Sequence, residues 1–452
     1  MKVLDKNAEL TDDPRQVALE VLVAVAKGGR LETSLEKRAG LLSEDNQALA
    51  AALVYTCLRH QSRLDFLIRT KLKKSRTDRL ALTILRLGLA QIWFFDRLKD
   101  YAVVSQTVEL ARAKIPGRQG MVNAILRDFL RDRDTVWGWP EELDGRRTDP
   151  AERLSVFYSH PKWLVDRLVD TLGPSQARAL LVANNQPTPP TLRVNPRLAT
   201  REELAEKLPF PVSPTPFSPW GLIPQSWPGK PESWPGFQEG YFTIQDEASQ
   251  ILGLLAPPKT RRILDACAGQ GGKSLSLATV RPEAHFLAVD PNWDRLNQML
   301  KEVRRLGLSA GKLKVKHAEI QSAGLNDEWD LVLVDAPCSG LGVIRRRPDL
   351  KWLKSPEDIP RLAEKQLEIL KAASLAVTPG GSLIYSVCTL TREEGPDVMG
   401  RFLAGSPNFR AWTLDEIPDV LRPLQSEAGA LRLWPHLNRA DGFFYGLLTR
   451  LK

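Results

Sequence analysis

The chain has 452 residues, 43% of them hydrophobic and 26% charged, with a formal net charge of +9 at pH 7. That is the balance of a soluble globular protein long enough for two or three domains, each with its own core. Four cysteines are too few for a disulfide scaffold. The charged start MKVLDKNAELTDDPRQ has no apolar leader, and the longest apolar run, near Ile84–Phe95, is broken by Arg86 and Gln91 and is too short to span a membrane. A soluble, cytoplasmic protein is expected.

In chain order, residues 14–131 place apolar side chains at intervals of three and four, as in Val17, Val21, Leu22 and Val25, then Leu80, Ile84, Leu87 and then Val122, Ile125, Leu126. This predicts an all-α bundle of five to seven helices, with connections marked by Gly28-Gly29, Gly40, Gly88 and Pro116-Gly117. Residues 59–130 hold 15 Lys and Arg against 6 Asp and Glu, a surplus of 9 that equals the charge of the whole chain. Such clustering favours a polyanionic partner. Arg69, Lys71, Lys73, Lys74, Arg76 and Arg79 read equally well as an RNA patch or as a charged turn.

The stretch 134–150 reads as a linker, 160–173 and 174–185 as two short helices, and 190–195 as a strand. Nine prolines between Pro209 and Pro235 predict an irregular surface loop. Residues 241–252 turn from a short strand into an amphipathic helix. From 261 onward, apolar runs (RILDACA, HFLAVD, LKVKHAE, DLVLVDAP, GSLIYSVC) alternate with helical segments, and HLNRADGFFYGLLTRL supplies a last strand. The expectation is a doubly wound α/β fold on a parallel sheet, with its ligands at the carboxyl edge.

Three motifs fall on that edge. DACAGQGGKS sets Gly269, Gly271 and Gly272 where a strand turns into a helix, and Asp290 ends the next strand, 21 residues after Gly269. Glycines there admit a ligand to the backbone, and a strand-end acid suits ribose hydroxyls. Neither GxxxxGK[ST] nor GxGxxG is completed, so a nucleoside without a pyrophosphate fits better, with S-adenosylmethionine the candidate. DAPCSG brings Asp335 and Cys338 to a strand end, and YSVCTL brings Cys388 to another. A thiolate adds readily to carbon 6 of a pyrimidine, which makes carbon 5 nucleophilic towards a methyl group. Cys57, within a helical apolar face, reads as a core residue, and Cys267 as a passive lining of the turn. Arg345, Arg346, Arg347 and Lys351, in IRRRPDLKW, suit an RNA backbone at the crevice mouth, or else form a solvated basic turn. Five histidines in no zinc-like spacing predict no metal site.

DACAGQGGKS, DAPCSGLGVIRRRPDLKW and YSVCTL together resemble the motifs of the RNA 5-methylcytosine methyltransferases. The similarity runs almost end to end, including GMVNAILR, SHPKWLV, ANNQPTPPTLRVN, FTIQDEASQIL and ADGFFYGLL, and is greatest for the bacterial subgroup that acts on 16S ribosomal RNA. The resemblance implies a NusB-like helical RNA-binding domain over 1–145, a linker and small α+β region over 146–240, and a Rossmann-like methyltransferase domain over 241–452.

It further implies that Cys388 is the nucleophile, that Asp335 contacts the base near ring nitrogen 3, and that Cys338 assists loss of the carbon 5 proton and product release. Cys267, Ala268, Gly269, Gln270, Gly271, Gly272, Lys273, Asp290, Glu319 and Asp335 would surround S-adenosylmethionine, with Lys273 also near the reacting groups. The chain departs from the family pattern in three places. Gln270 stands where the usual turn has proline, Glu319 where an Asp is usual, and Val387 where a Thr precedes the nucleophile. The expected substrate is naked or partially assembled 16S ribosomal RNA, met by a monomer. Transfer RNA as the target, and a non-catalytic assembly factor, remain as alternatives on the sequence alone.

Overall fold

The computed structural model describes residues 12–40, 42–72, 78–132, 149–226, 228–309, 311–326 and 328–452. Lys73, Lys74 and Arg76 of the expected basic cluster, and nearly all of the expected linker, lie outside the described residues. The chain divides into two compact units, Met1–Asn185 with Arg347–Lys354, and Gln186–Arg346 with Ser355–Lys452.

The first unit is helical: α1 (Pro14–Ala26), α2 (Leu31–Ala39), α3 (Glu44–Arg59), α4 (Gln61–Lys71), α5 (Arg79–Phe94), α6 (Asp100–Lys114), α7 (Gln119–Arg131), α8 (Pro150–Phe157) and α9 (Lys162–Asn185). Asp13 caps α1 through the Arg15 amide and Pro14 opens it, the arrangement that satisfies a donor the helix leaves orphaned. The apolar stripes meet in one core, with Val21, Leu53, Ile84, Leu87, Val122 and Leu126 fully buried.

Gly88 corrects its reading as a helix break. It lies within α5, where a Cβ would press on the Leu126 side chain of α7 at 2.9 Å and on Thr107 of α6 at 3.0 Å. Its missing side chain therefore permits close helix packing. Gly173, with φ of 73°, kinks α9 ahead of Pro174, so two helical pieces meet there as expected. Arg347–Lys354 packs into this same unit: the Trp352 indole N–H donates to the Leu58 carbonyl at 2.7 Å.

In the second unit, β1 (Leu192–Val194), β2 (Val212–Pro214), β3 (Gly221–Pro224) and β4 (Phe242–Ile244) form an antiparallel sheet in the order β2-β3-β1-β4. Helix α10 (Arg201–Lys207) packs on it through Leu204, above Phe210, Trp234 and Phe242. The proline-rich stretch is thus partly ordered into strands. Pro214 is tolerated because β2 is an edge strand, where a missing amide removes no internal bond.

The main sheet contains β5 (Arg262–Asp265), β6 (His285–Asp290), β7 (Leu313–His317), β8 (Trp329–Asp335), β9 (Val377–Val387), β10 (Phe409–Ala411), β11 (Gln425–Glu427), β12 (Ala430–Leu433) and β13 (Phe443–Arg450). Its order is β11-β12-β13-β9-β8-β5-β6-β7, with β10 pairing β13. Strands β9, β8, β5, β6 and β7 run parallel. From β13 outward the pairing is antiparallel, so the sheet is mixed. Helices α11 (Gly272–Val280), α12 (Trp293–Arg305), α13 (Asp358–Ser374) and α14 (Pro396–Ala404) complete the α/β layers. Leu331 and Leu333 enter one buried cluster and Val332 and Val334 the other. A strand apolar on both faces is the signature of a sheet covered on both sides. The chain order reverses between β5 and β8, which opens a crevice at their carboxyl ends.

Candidate active site

The end of β5 supplies Asp265, wholly buried, whose carboxyl accepts from the Ser274 hydroxyl at 2.5 Å and the Cys267 amide at 3.2 Å. Burial, helped by the charge of Asp335, pushes it up to about 7 against these hydrogen bonds. The loop that follows is pinned to its neighbours: the Ala266 amide donates to the Leu333 carbonyl and the Ala268 amide to Val289. Gly269 and Gly271 both take left-handed φ, 55° and 84°. At Gly271 a side chain would collide with Met299, whereas at Gly269 nothing lies within 4 Å of where a Cβ would stand. The loop is closed beneath and open above. Asp290, at the end of β6, accepts from the Gly269 amide at 2.9 Å and the Asn292 amide at 2.8 Å. Gln270 is exposed on the loop, and Glu319 is exposed after β7.

Lys273, in the first turn of α11, reaches across to Asp335 at the end of β8 at 2.7 Å. Burial opposes its charge, but Asp335, Cys388 and Asp265 outweigh burial and hold the ammonium above its ordinary value. The other Asp335 oxygen accepts from the Ser386 hydroxyl at 3.0 Å, and a third of this side chain remains exposed (32%). Register aligns Asp335 with Ser386 on β9. Two residues on, and so on the same face of the strand, comes Cys388.

The Cys388 sulfur lies 3.1 Å from that of Cys338. The hydrogen bond between them, then burial, push the Cys338 thiol well above its ordinary range. The Cys388 backbone is fixed where the chain passes closely: its carbonyl accepts from the Gly342 amide at 3.0 Å, and the Gly342 carbonyl from Gly442 at 2.8 Å. A Cβ at Gly342 would strike the Gly442 carbonyl and the Cys388 backbone, so glycine is required there. Cys267 is set apart by burial and by Asp265, Asp335 and Asp290, which raise its thiol well above the ordinary value. Cys57 is pushed up to about 12 by burial in the helical core.

The structure thus brings Asp335, Cys338, Cys388 and Lys273 together, with the glycine loop and Asp290 on the same edge. The four basic residues expected to face RNA are instead engaged within the protein. Lys351 is wholly buried, its ammonium 2.9 Å from the Arg59 carbonyl and 3.0 Å from Asn185 Oδ1. Burial drives it well below the usual lysine value. Arg347 pairs with Glu32 and Asp349, and Arg345 donates to the Arg439 carbonyl. Arg346 bridges Asp246 and Asp441, and burial, with the charge of Asp246, pushes Asp441 up to about 7. The burial of Lys351 and Arg345 speaks against phosphate contacts from either.

Sequence reasoning missed Ser386, although its offset of two from Cys388 marks it. It also missed Glu394, Gln366 and the Asp246–Arg346–Asp441 cluster, for which no local pattern exists. Among the described residues no group of three or more His, Cys, Asp or Glu could hold a metal, and no helix is long and apolar enough to cross a membrane.

Three family patterns tile the chain: the NusB family over residues 12–131, an RsmF/B-like ferredoxin-like domain over 160–226, and 16S rRNA methyltransferase RsmB/F over 252–449. A Klebsiella pneumoniae protein named ribosomal RNA small subunit methyltransferase B is 33% identical across 99% of both chains. Its Salmonella enteritidis counterpart is 34% identical over 96% of this chain and 97% of that one. Among solved structures, PH0851 superposes with a TM-score of 0.75 at 23% identity, covering 97% of this chain and 99% of that chain; at that identity the likeness speaks for the fold. With a third of its residues shared from end to end with such relatives, this chain belongs to the 16S rRNA methyltransferase RsmB/F family.

Proposed function

We propose that this protein methylates carbon 5 of a cytosine in 16S ribosomal RNA through a covalent adduct on Cys388. The observation that carries the reading is the pair of sulfurs 3.1 Å apart, beside a carboxylate held by Lys273 and Ser386 at one strand edge. Such a pair suits a reaction that adds a thiolate to a ring and later removes a proton from the neighbouring carbon. The named activity of the relatives supports RNA as substrate and the small subunit as its source.

The glycine loop fits S-adenosylmethionine. Space is open over Gly269, and the buried Gln245 Oε1, beside Gly272, finds no partner among the described residues. Asp290, at the next strand end, suits ribose hydroxyls. When bound, that cofactor supplies an electrophilic methyl group. All else falls to the protein. The Cys388 thiolate bonds to carbon 6, and the electron pair of the 5,6 double bond takes up the methyl at carbon 5. The Cys338 thiol, having first lost its own proton to solvent, then receives the carbon 5 proton as a thiolate, the double bond re-forms, and the Cys388–carbon bond breaks. Asp335 meets the base near ring nitrogen 3, and Lys273 holds that carboxylate in place. The base must leave its stack to enter, which costs least in single-stranded RNA, so naked or partially assembled RNA is the preferred substrate. Four free cysteines among the described residues suit a reducing cytoplasm.

The test is a 16S RNA transcript carrying 5-fluorocytosine, whose carbon 5 cannot lose a proton. The parent protein should form a complex that survives denaturing electrophoresis, and C388A should form none. An equal yield of adduct from C388A would sink the assignment.

A further inference from the structure

Glu394 lies beyond the Cys388 strand end and is wholly buried. Its carboxylate accepts five hydrogen bonds. Oε1 receives the Ser339 amide at 2.7 Å and the Gln366 amide group at 3.1 Å. Oε2 receives the hydroxyls of Ser339 at 2.6 Å, Thr389 at 2.8 Å and Thr391 at 2.9 Å. Ser339 directly follows Cys338, and Thr389 directly follows Cys388. Gln366, from α13, also donates to the carbonyl of Pro337, just before Cys338, at 3.0 Å. Tyr385 closes the network through the Gln366 oxygen at 3.0 Å and the Glu394 carbonyl at 2.6 Å. One side chain therefore ties together the two loops that carry the thiols.

A buried carboxylate is costly unless each lone pair is met, and apolar side chains fill space at lower cost. A role limited to filling would need neither the charge nor two loops converging on it. We propose that Glu394 is a positioning residue that sets the separation of the Cys338 and Cys388 sulfurs and thereby controls release of the methylated base. The part concerning release rests on the reaction proposed above; the part concerning separation stands without it. The charge of Glu394 also adds to the Cys388 hydrogen bond and burial in holding the Cys338 proton. Removing the charge moves the pH dependence of release towards lower pH.

The test uses the full-length protein with E394A, which abolishes the clamp, and E394Q, whose amide can still bond to hydroxyls turned to accept but which carries no charge. Diamide oxidises two neighbouring thiols: the azo bond takes up the two hydrogens to become a hydrazine, and a sulfur–sulfur bond forms. The rate of the Cys338–Cys388 disulfide, read by peptide mass mapping, should fall about tenfold or more in E394A and stay within about threefold of the parent in E394Q. In methylation with unmodified RNA, E394A should retain the covalent adduct longer, and both variants should shift the pH profile of release downwards. Binding of S-adenosylhomocysteine should hold in both.

A parent-like disulfide rate in E394A overturns the proposal, and so does a loss of cofactor binding that matches the loss of disulfide, since that marks a general collapse. If E394A does not fold, the double variant T389V/T391V, which removes both hydroxyls that reach Glu394 from the Cys388 side, takes its place with the same two outcomes. If the parent methylates no RNA, the disulfide arm still reads the separation, so failure of the reaction and failure of the clamp are told apart.

Discussion

Lys273 Nζ stands 2.7 Å from Asp335 Oδ2, joining the first turn of α11 to the end of β8 across 62 residues of chain. Together with the Ser386 hydroxyl on the other oxygen, the bond fixes a strand-end carboxylate, and it sets a cation within the field of Cys388. The glycine loop and the DAPCSG motif are thus one site, linked by this ion pair.

K273M tests that link. It removes the cation and leaves Asp335 with the Ser386 hydroxyl as its named partner. Activity should fall by about a hundredfold or more, as for other preorganised charges at a reacting centre, with a stability loss of about 1–3 kcal/mol from the carboxylate left half-buried. Steady-state methylation and thermal melting read the two effects separately. Activity within about threefold of the parent would show that Asp335 needs no orienting partner.

The two cysteines should fail differently. On unmodified RNA, C338A should accumulate the covalent adduct because proton loss and release are impaired, while C388A should accumulate none. Denaturing electrophoresis of labelled RNA distinguishes them, and a reversed pattern would exchange the two roles.

Asp265 makes stability depend on pH. Its folded value, raised from 3.8 to about 7, lies above the unfolded one. Between those values the native state binds a proton that the unfolded chain has lost, so this group favours folding at low pH and loses that contribution as pH rises through 7. D265N should therefore gain on the parent between pH 4 and 7, by up to about 1.4 kcal/mol per pH unit, and hold a constant difference above that. Chemical denaturation across the pH series checks this. Parallel curves for variant and parent would contradict it.

Buried Lys351 should matter little to RNA. K351M is expected to leave the salt dependence of RNA binding unchanged, whereas loss of one phosphate contact lowers the slope by about 0.7–0.9. Filter binding at several salt concentrations decides. A slope change of that size would mean that Lys351 leaves its burial site when RNA binds.

The sequence was informative where a pattern is local. The alternation of apolar runs with helices from 261 onward announced the sheet, and strand-end placement brought out Asp335, Cys338, Cys388 and Asp290. Leu, Ile and Val at intervals of three and four announced the helical unit, within which Gly88 was misread because only the packed neighbours Leu126 and Thr107 reveal its purpose. Strands β10, β11 and β12, three or four residues long, are too short for periodicity to register.

The basic run IRRRPDLKW reads as exposed because charge usually is. Its partners lie far along the chain: Asp246 is 100 residues from Arg346, and Arg59 is 292 from Lys351. Glu394 was invisible for the same reason. A glutamate in a loop has no pattern, and its five donors become neighbours only when three elements converge.

The most direct measurement is bisulfite sequencing of naked 16S RNA after incubation with the protein and S-adenosylmethionine, beside the same reaction with C388A. The account predicts one cytosine protected from conversion by the parent protein and by none of the C388A sample. Full conversion of every cytosine in both samples, or equal protection in both, would contradict it.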